Sequence, residues 1–410
     1  MNSEFKYDMS KQPIMNVGML GSVSDGKSTC VRVLTGIKTQ RHSSEKTRNI
    51  TIKPGYANMK IWQKDDTLES TDSKPSNYKD FDLVHHLSFV DCPGHHELIL
   101  TMLGSIKLMN AVIVVVAASE PINMKPQLIQ HLAAIKLAGI KNVIVCLNKL
   151  DLIEKELAFT RYKELQLMLQ KFNITPKCII PTSFSKGIGV EWLLNEILEH
   201  FSVPEDEPEN ATFMATRSFD INKPGISWDK VSGGVIGGSL FNGKLNVGDT
   251  LEIRPGIVDT RNCKCIPITT QVLSFQTDQE KLNSIRPGGL IGIGTDVDSY
   301  YCKDDYLSGN IIGLKGTLPS VYSEIELKYN LTEDFGANWK PRANDVMSLQ
   351  IGALTIESMV LSFSKKSINF KLSRPACVDR DSMIIICHKE DGIMKIVGVG
   401  NIKNGKKLVD

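Results

Sequence analysis

The segment Gly21-Ser22-Val23-Ser24-Asp25-Gly26-Lys27-Ser28 fits the pattern G-x-x-x-x-G-K-[ST]. A short apolar run, 14–20, leads into it, and 29–34 can open a helix behind it. Strand, glycine turn and helix in that order form a cradle for phosphate. Gly21 and Gly26 let backbone N–H groups turn inward, and the helix N-terminus adds partial positive charge. Ser24, Asp25 and Thr29 complete the candidate loop. Lys27 can reach the β and γ phosphates, and the Ser28 hydroxyl can ligate Mg²⁺. A bare glycine turn with an exposed lysine is the competing reading, and the flanking strand and helix disfavour it. Asp25 is the misfit, because a carboxylate beside a phosphate path repels like charge. It is expected to point to solvent or to the metal, and to weaken nucleotide binding.

Such a loop requires a parallel α/β sheet around it, and the first half of the chain supplies the pattern. Residues 87–90, 111–118, 142–147 and 179–181 read as buried strands. Residues 127–137 have helical spacing, with Leu128, Leu132, Ile135 and Ala138 near one face and Gly139 as a stop. The expectation is a doubly wound, mostly parallel sheet. Residues 65–82 are polar and are expected to form a long surface excursion. At 203–210 the run Val-Pro-Glu-Asp-Glu-Pro-Glu-Asn reads as a linker. Beyond it, glycine turns separate short alternating strands, an all-β pattern, and Asn242-Gly243 reads as a hairpin turn. A second break near Leu318-Pro319 starts a further β domain. The expected boundaries are an extension at 1–13, an α/β nucleotide-binding domain at 14–202, the linker, and all-β domains at 211–318 and 319–410.

Lys+Arg 48 against Asp+Glu 46 gives a net charge of +2, so any nucleic-acid partner must be held by a local patch. The longest apolar run, 111–118, is far short of a membrane span. The N-terminus carries Glu4, Lys6, Asp8 and Lys11 and does not read as a signal peptide. The nine scattered cysteines are therefore expected as reduced thiols in the cytoplasm.

Two further motifs choose the nucleotide. In Asn148-Lys149-Leu150-Asp151, the carboxylate of Asp151 can accept both guanine N1–H and N2–H₂, a pairing adenine cannot make. The stem of Lys149 can cover the base. Asp91-Cys92-Pro93-Gly94 ends another strand, where Asp91 suits a water-mediated Mg²⁺ contact and the Gly94 N–H can meet the γ-phosphate. His95 follows and can orient an attacking water. Thr51 is a candidate second Mg²⁺ ligand, released with the γ-phosphate. Ser183-Phe184 can offer backbone N–H groups to the guanine oxygen. His85, His86, His95, His96 and Cys92 match no usual zinc spacing.

These residues resemble translational GTPases of the elongation factor Tu type, and more closely the gamma-subunit family of translation initiation factor 2. The resemblance is carried by Arg48-Asn49-Ile50-Thr51-Ile52-Lys53, Gly55-Tyr56-Ala57-Asn58, Ser88-Phe89-Val90-Asp91-Cys92-Pro93-Gly94-His95 and Asn148-Lys149-Leu150-Asp151. Past the linker it continues in Arg217-Ser218-Phe219-Asp220-Ile221-Asn222-Lys223-Pro224-Gly225, Pro287-Gly288-Gly289-Leu290-Ile291-Gly292 and Ser373-Arg374-Pro375-Ala376-Cys377. It implies a GTPase domain followed by two β-barrels. It implies a heterotrimer with alpha and beta subunits, and GTP-dependent delivery of methionylated initiator tRNA to the small ribosomal subunit, served by GTPase-activating and nucleotide-exchange factors. It implies His95, Lys27 and Gly94 in catalysis, Ser28, Thr51 and Asp91 at Mg²⁺, Asn148, Lys149 and Asp151 at guanine with Ser183, Phe184 and Ser185 supporting, and Tyr56 near the tRNA acceptor end.

The chain departs from the family pattern Gly-His-Val-x-His-Gly-Lys at Ser22 and Asp25, from a cysteine zinc knuckle between Thr51 and Asp91, and from alanine at Phe184, expected as a bulkier neighbour for the base. No zinc is expected. Residues 26–60 hold eight Lys/Arg against the single acid Glu45, a basic stretch suited to a phosphate backbone. Lys365, Lys366, Lys371 and Arg374 form a second basic group. The alternatives are an elongation- or selenocysteine-type tRNA carrier and a nucleotide-binding scaffold without hydrolysis.

Overall fold

The computed structural model describes residues 9–38, 55–71, 80–93, 98–202, 210–223, 225, 227, 231–259, 261, 264–277, 280–331, 339–390 and 392–409. The chain divides into two compact units, Met1–Glu205 and Asp206–Asp410.

In the first unit the chain runs β1 (Met15–Leu20), α1 (Lys27–Thr35), β2 (Gly55–Lys64), β3 (Thr67–Thr71), β4 (Asp82–Asp91), α2 (Ile99–Ile106), β5 (Ala111–Ala117), α3 (Pro126–Ala138), β6 (Asn142–Asn148), α4 (Lys155–Lys171), β7 (Cys178–Pro181) and α5 (Val190–His200). The sheet order is β3-β2-β4-β1-β5-β6-β7. The five strands from β4 to β7 are parallel, and β2 and β3 extend the sheet antiparallel. Every residue of β1 and β5 is buried, as a strand covered on both faces requires. Helix α3 takes Pro126 in its first turn and ends at Gly139, whose φ of 70° is left-handed; Leu128, Leu132 and Ile135 are buried on it. The carboxyl ends of β1, β4, β6 and β7 lie along one edge, and each delivers one motif: Gly21, Asp91, Asn148 and Thr182-Ser183. That edge is where open α/β sheets hold ligands.

Of residues 65–82, expected as a long surface excursion, 72–79 lie outside the described residues, and 65–71 are a turn and a strand rather than a loop. Asp65 and Asp66 make a turn, and Thr67–Thr71 pairs with β2 as the edge strand. Thr, Leu and Ser alternate there at strand period, and Leu68 packs toward the core while Glu69 keeps the edge charged.

The second unit opens with β8 (Thr212–Phe219), β9 (Val235–Asn242), β10 (Leu245–Asn246), β11 (Thr250–Asp259), β12 (Lys264–Thr277), β13 (Glu280–Leu282), β14 (Ser284–Ile285), β15 (Ile291–Thr295) and β16 (Ile311–Leu314). Six strands in the order β11-β16-β8-β9-β15-β12 close on themselves through the β11–β12 pairing, around Phe213, Leu251, Phe275 and Ile293. Gly243 has the left-handed φ its turn needs, yet Asn242-Gly243 is not a hairpin: β10 pairs with β14, because buried Leu245 is drawn into the barrel core. A second closed barrel follows from β17 (Val321–Leu331), β18 (Val346–Ile351), β19 (Leu354–Phe363), β20 (Ser367–Cys377), β21 (Ile384–Glu390) and β22 (Ile393–Val409), around Ile325, Phe370 and Ile386.

Candidate nucleotide-binding site

The phosphate loop turns on three left-handed residues, Gly21 (φ 138°), Ser24 (φ 64°) and Gly26 (φ 109°). A Cβ at Gly21 would lie 2.0 Å from the Val115 carbonyl oxygen, and one at Gly26 would lie 2.3 Å from Asn148 Nδ2. The pattern's two glycines are thus demanded both by φ and by close approach. The Gly21 N–H donates to His131 Nδ1 of α3 at 2.8 Å. Burial lowers the pKa of His131 to about 3, which keeps the ring a neutral acceptor. Lys27 donates to the Gly21 and Ser22 carbonyls at 2.9 and 2.8 Å, and burial depresses its pKa. Ser28, with Thr29 beside it, sits in the first turn of α1, and its hydroxyl donates to Asp91 Oδ2 at 2.7 Å. Ser28, expected as a Mg²⁺ ligand, and Asp91, expected to reach the ion through water, therefore meet, and an oxygen-rich pair beside a glycine cradle fits a magnesium–phosphate group.

Asp25 points neither to solvent nor to a metal position. It is 1% exposed, and its Oδ2 accepts the Ser22 N–H at 2.8 Å. Its Oδ1 accepts the Ala117 N–H at 3.1 Å and pairs with Lys125 Nζ at 2.6 Å. The carboxylate is compensated inside the loop, which removes the repulsion expected of it.

Asn148 joins the phosphate loop to the base-reading loops. Its Nδ2 donates to the Asp25 carbonyl at 2.9 Å, and its Oδ1 accepts the Phe184 N–H at 3.1 Å. Lys149 adopts a left-handed φ of 64°, which swings the chain so that Asp151 stands at the surface. Ser183 Oγ donates to Asp151 Oδ1 at 2.6 Å and lies 3.3 Å from Ser185 Oγ. One carboxylate oxygen is thereby fixed, leaving Oδ2 for a ligand. Phe184 is not a bulky neighbour of a base: the ring is 2% exposed and belongs to the hydrophobic core. Its side chain fills space, and only its backbone enters the site.

Thr51, Gly94 and His95 lie outside the described residues. Tyr56 is the second residue of β2, half-buried and paired in register with Val90. The second basic group does not form one face. Lys371 stands opposite Glu324, while Arg374 lines a cleft with Pro255, Tyr306 and Leu354. Sequence reading missed Lys125 and His131. His131 carried a signal, a polar residue in the buried stripe of α3 that demanded a partner; Lys125 carried none.

Comparison with known proteins gives matches along most of the chain. The family description "Elongation factor Tu GTP binding domain" matches residues 12–203, and "Initiation factor eIF2 gamma, C terminal" matches 324–402. Eukaryotic translation initiation factor 2 subunit gamma of Encephalitozoon cuniculi is 37% identical, covering 97% of this chain and 94% of its own. Translation initiation factor 2 subunit gamma of Pyrococcus furiosus is 35% identical (96% and 98%), and eukaryotic translation initiation factor 2 subunit 3 of Drosophila melanogaster is 34% identical (98% and 90%). Among solved structures, a bacterial selenocysteine-specific elongation factor shares the fold at TM-score 0.73 and 22% identity, over 95% of this chain and 58% of that one. The elongation factor SelB of Methanococcus maripaludis does so at TM-score 0.71 and 21% identity, over 97% and 80%. With relatives matched over nearly its whole length, the chain belongs to the gamma-subunit family of eukaryotic and archaeal translation initiation factor 2, a family of translational GTPases.

Proposed function

We propose that the chain is the GTP-binding core subunit of a heterotrimeric initiation factor with alpha and beta subunits. It carries methionylated initiator tRNA to the small ribosomal subunit in the cytoplasm, and GTP hydrolysis releases the tRNA after start-codon selection. The observation that carries the nucleotide half is the bridge at Asn148, which ties the Asp25 carbonyl to the Phe184 N–H. Phosphate and base recognition are then one rigid unit, and Asp151 has one oxygen to present to guanine.

Bound Mg²⁺ would neutralise phosphate charge, and Ser28 and Thr51, with Asp91 through water, are the residues to hold it. Lys27 draws on the β and γ oxygens. Gly94 and Thr51 respond to the γ-phosphate, and His95 orients water for attack. Hydrolysis waits for an activating factor, and Tyr56 meets the tRNA acceptor end. Among the described residues no helix is long and apolar enough to cross a membrane.

The test is filter binding of initiator and elongator aminoacyl-tRNA, with GTP analogue and with GDP, in the presence of alpha and beta. Preference for initiator tRNA in the GTP-analogue state is expected. Equal affinity for both tRNAs points instead to an elongator- or selenocysteine-type carrier. Single-turnover GTP cleavage by the isolated chain should be slow, and absence of cleavage even with ribosomes and activator identifies a scaffold.

A further inference from the structure

We infer that Lys125 is a positioning residue of the phosphate loop: it neutralises the Asp25 carboxylate and holds it against backbone donors, so that a loop carrying an acid still accepts polyphosphate. The inference rests on the guanine-nucleotide reading of the site.

Asp25 lies within the loop itself, next to Gly26 and Lys27. A carboxylate there has three options: to face water, to repel phosphate, or to be buried with a cation. Its surroundings take the third. Lys125 Nζ is 2.6 Å from Oδ1, and the Ala117 and Ser22 N–H groups supply two further donors. The carboxylate has three bonds inside the protein. Lys125 is 4% exposed, and among the described residues its other acid is Glu120 at 3.4 Å, on the surface. Neither member of the pair is tolerable alone, because a buried unpaired charge is costly.

The pair is also electrically coupled to the phosphate-binding amine. Burial is the largest influence on Lys27 and lowers its proton affinity; Asp25 acts to raise it and Lys125 to lower it, so the two oppose each other at the position where phosphate charge arrives. Removing Lys125 leaves a net negative charge there. The supply is structural as well: Lys125 immediately precedes α3, and His131 on the same helix accepts the Gly21 N–H. The first half of one helix and the residue before it thus hold the loop at two points, Gly21 and Asp25.

The experiment is calorimetric titration of the full chain with GDP and with a non-hydrolysable GTP analogue, alongside thermal melts. Lys125→Met should weaken both nucleotides by ~10-fold or more, and the triphosphate more than the diphosphate, because it brings more negative charge. Lys125→Arg, which keeps the charge, should stay within ~3-fold of wild type. Asp25→Asn/Lys125→Met should recover most of the loss, the coupling expected of residues in contact. A purely structural lysine would lower the melting temperature without this rescue or the diphosphate–triphosphate difference. Should Lys125→Met not fold, Asp25→Asn against the double variant decides: better binding by the double variant supports the pair, and equal binding overturns it. Wild-type affinity in Lys125→Met, or no rescue in the double variant, overturns the inference while the nucleotide reading stands. A wild-type chain that binds no guanine nucleotide overturns both.

Discussion

Asn148 spends both ends of its amide on holding two loops, so on the proposed reading of the site the choice of base falls to Asp151. Ser183 Oγ donates to Asp151 Oδ1 and fixes which oxygen is left outward. In Asp151→Asn the amide oxygen can keep the Ser183 bond, which turns the NH₂ toward the base. Guanine then meets a donor where it needs an acceptor, whereas xanthine offers a carbonyl there. GTP affinity is expected to fall by ~100-fold or more, with XTP gaining relative to it; competition titration with both nucleotides checks this. The residues of this pocket were legible in the sequence where they stand in contiguous motifs, because Lys27, Ser28, Asn148 and Asp151 each carry a fixed spacing to a strand end. Asp25 was legible only as a charge. Its neutraliser lies 100 residues away in a different loop, and no local pattern encodes that distance. Phe184 was misplaced for a related reason: sequence position gives the backbone's neighbourhood, but the direction of the ring is set by the core behind it.

At the scale of elements, the site depends on how closely the loop after β1 approaches β5 and β6. Gly26 is the contact point. An alanine there must adopt a φ of 109° and place its Cβ 2.3 Å from Asn148 Nδ2. Asn148 cannot yield, because its Oδ1 is tied to the Phe184 N–H. Gly26→Ala should lose nucleotide affinity by ~100-fold and lower stability by ~2 kcal/mol, read by titration and urea unfolding. Helix α3 brings a pH dependence. His131 is neutral and buried, with its pKa lowered by burial to about 3, and His86 is lowered by burial to about 4. Below pH 6.5 the unfolded chain takes up protons that the folded one refuses. Stability is therefore complete above that pH and is lost as pH falls toward 3. From pH 7 to pH 5, His131 alone accounts for about 2 kcal/mol. The urea midpoint should drop accordingly, and His131→Gln, which retains an acceptor for Gly21, should flatten the dependence. The parallel strands were readable because their Val and Ile runs admit no other environment. The edge strand β3 was not, since an exposed edge carries polar residues much as a loop does.

For the whole molecule, the question is what each unit contributes to cooperativity. In the second unit the two barrels are joined by a buried arginine. Arg254 Nε donates to Glu252 Oε1 at 3.0 Å, while its Nη1 reaches the Leu318 and Pro319 carbonyls, at 3.2 and 3.0 Å, in the connection to the second barrel. Glu252 Oε2 in turn accepts the Gly316 N–H. Arg254→Met keeps the packing volume but strands a buried carboxylate and two carbonyls, at a cost of ~3–5 kcal/mol. No nucleotide motif lies in this unit, so a guanine nucleotide should not protect it. In the first unit, nucleotide at a hundred times its Kd should add about 2.7 kcal/mol. Scanning calorimetry of wild type and Arg254→Met, each with and without a GTP analogue, should therefore show two independently movable transitions. The analogue should raise only the one belonging to the first unit, and the substitution should lower or split only the other. A single transition moved equally by both perturbations would mean that the two units melt as one.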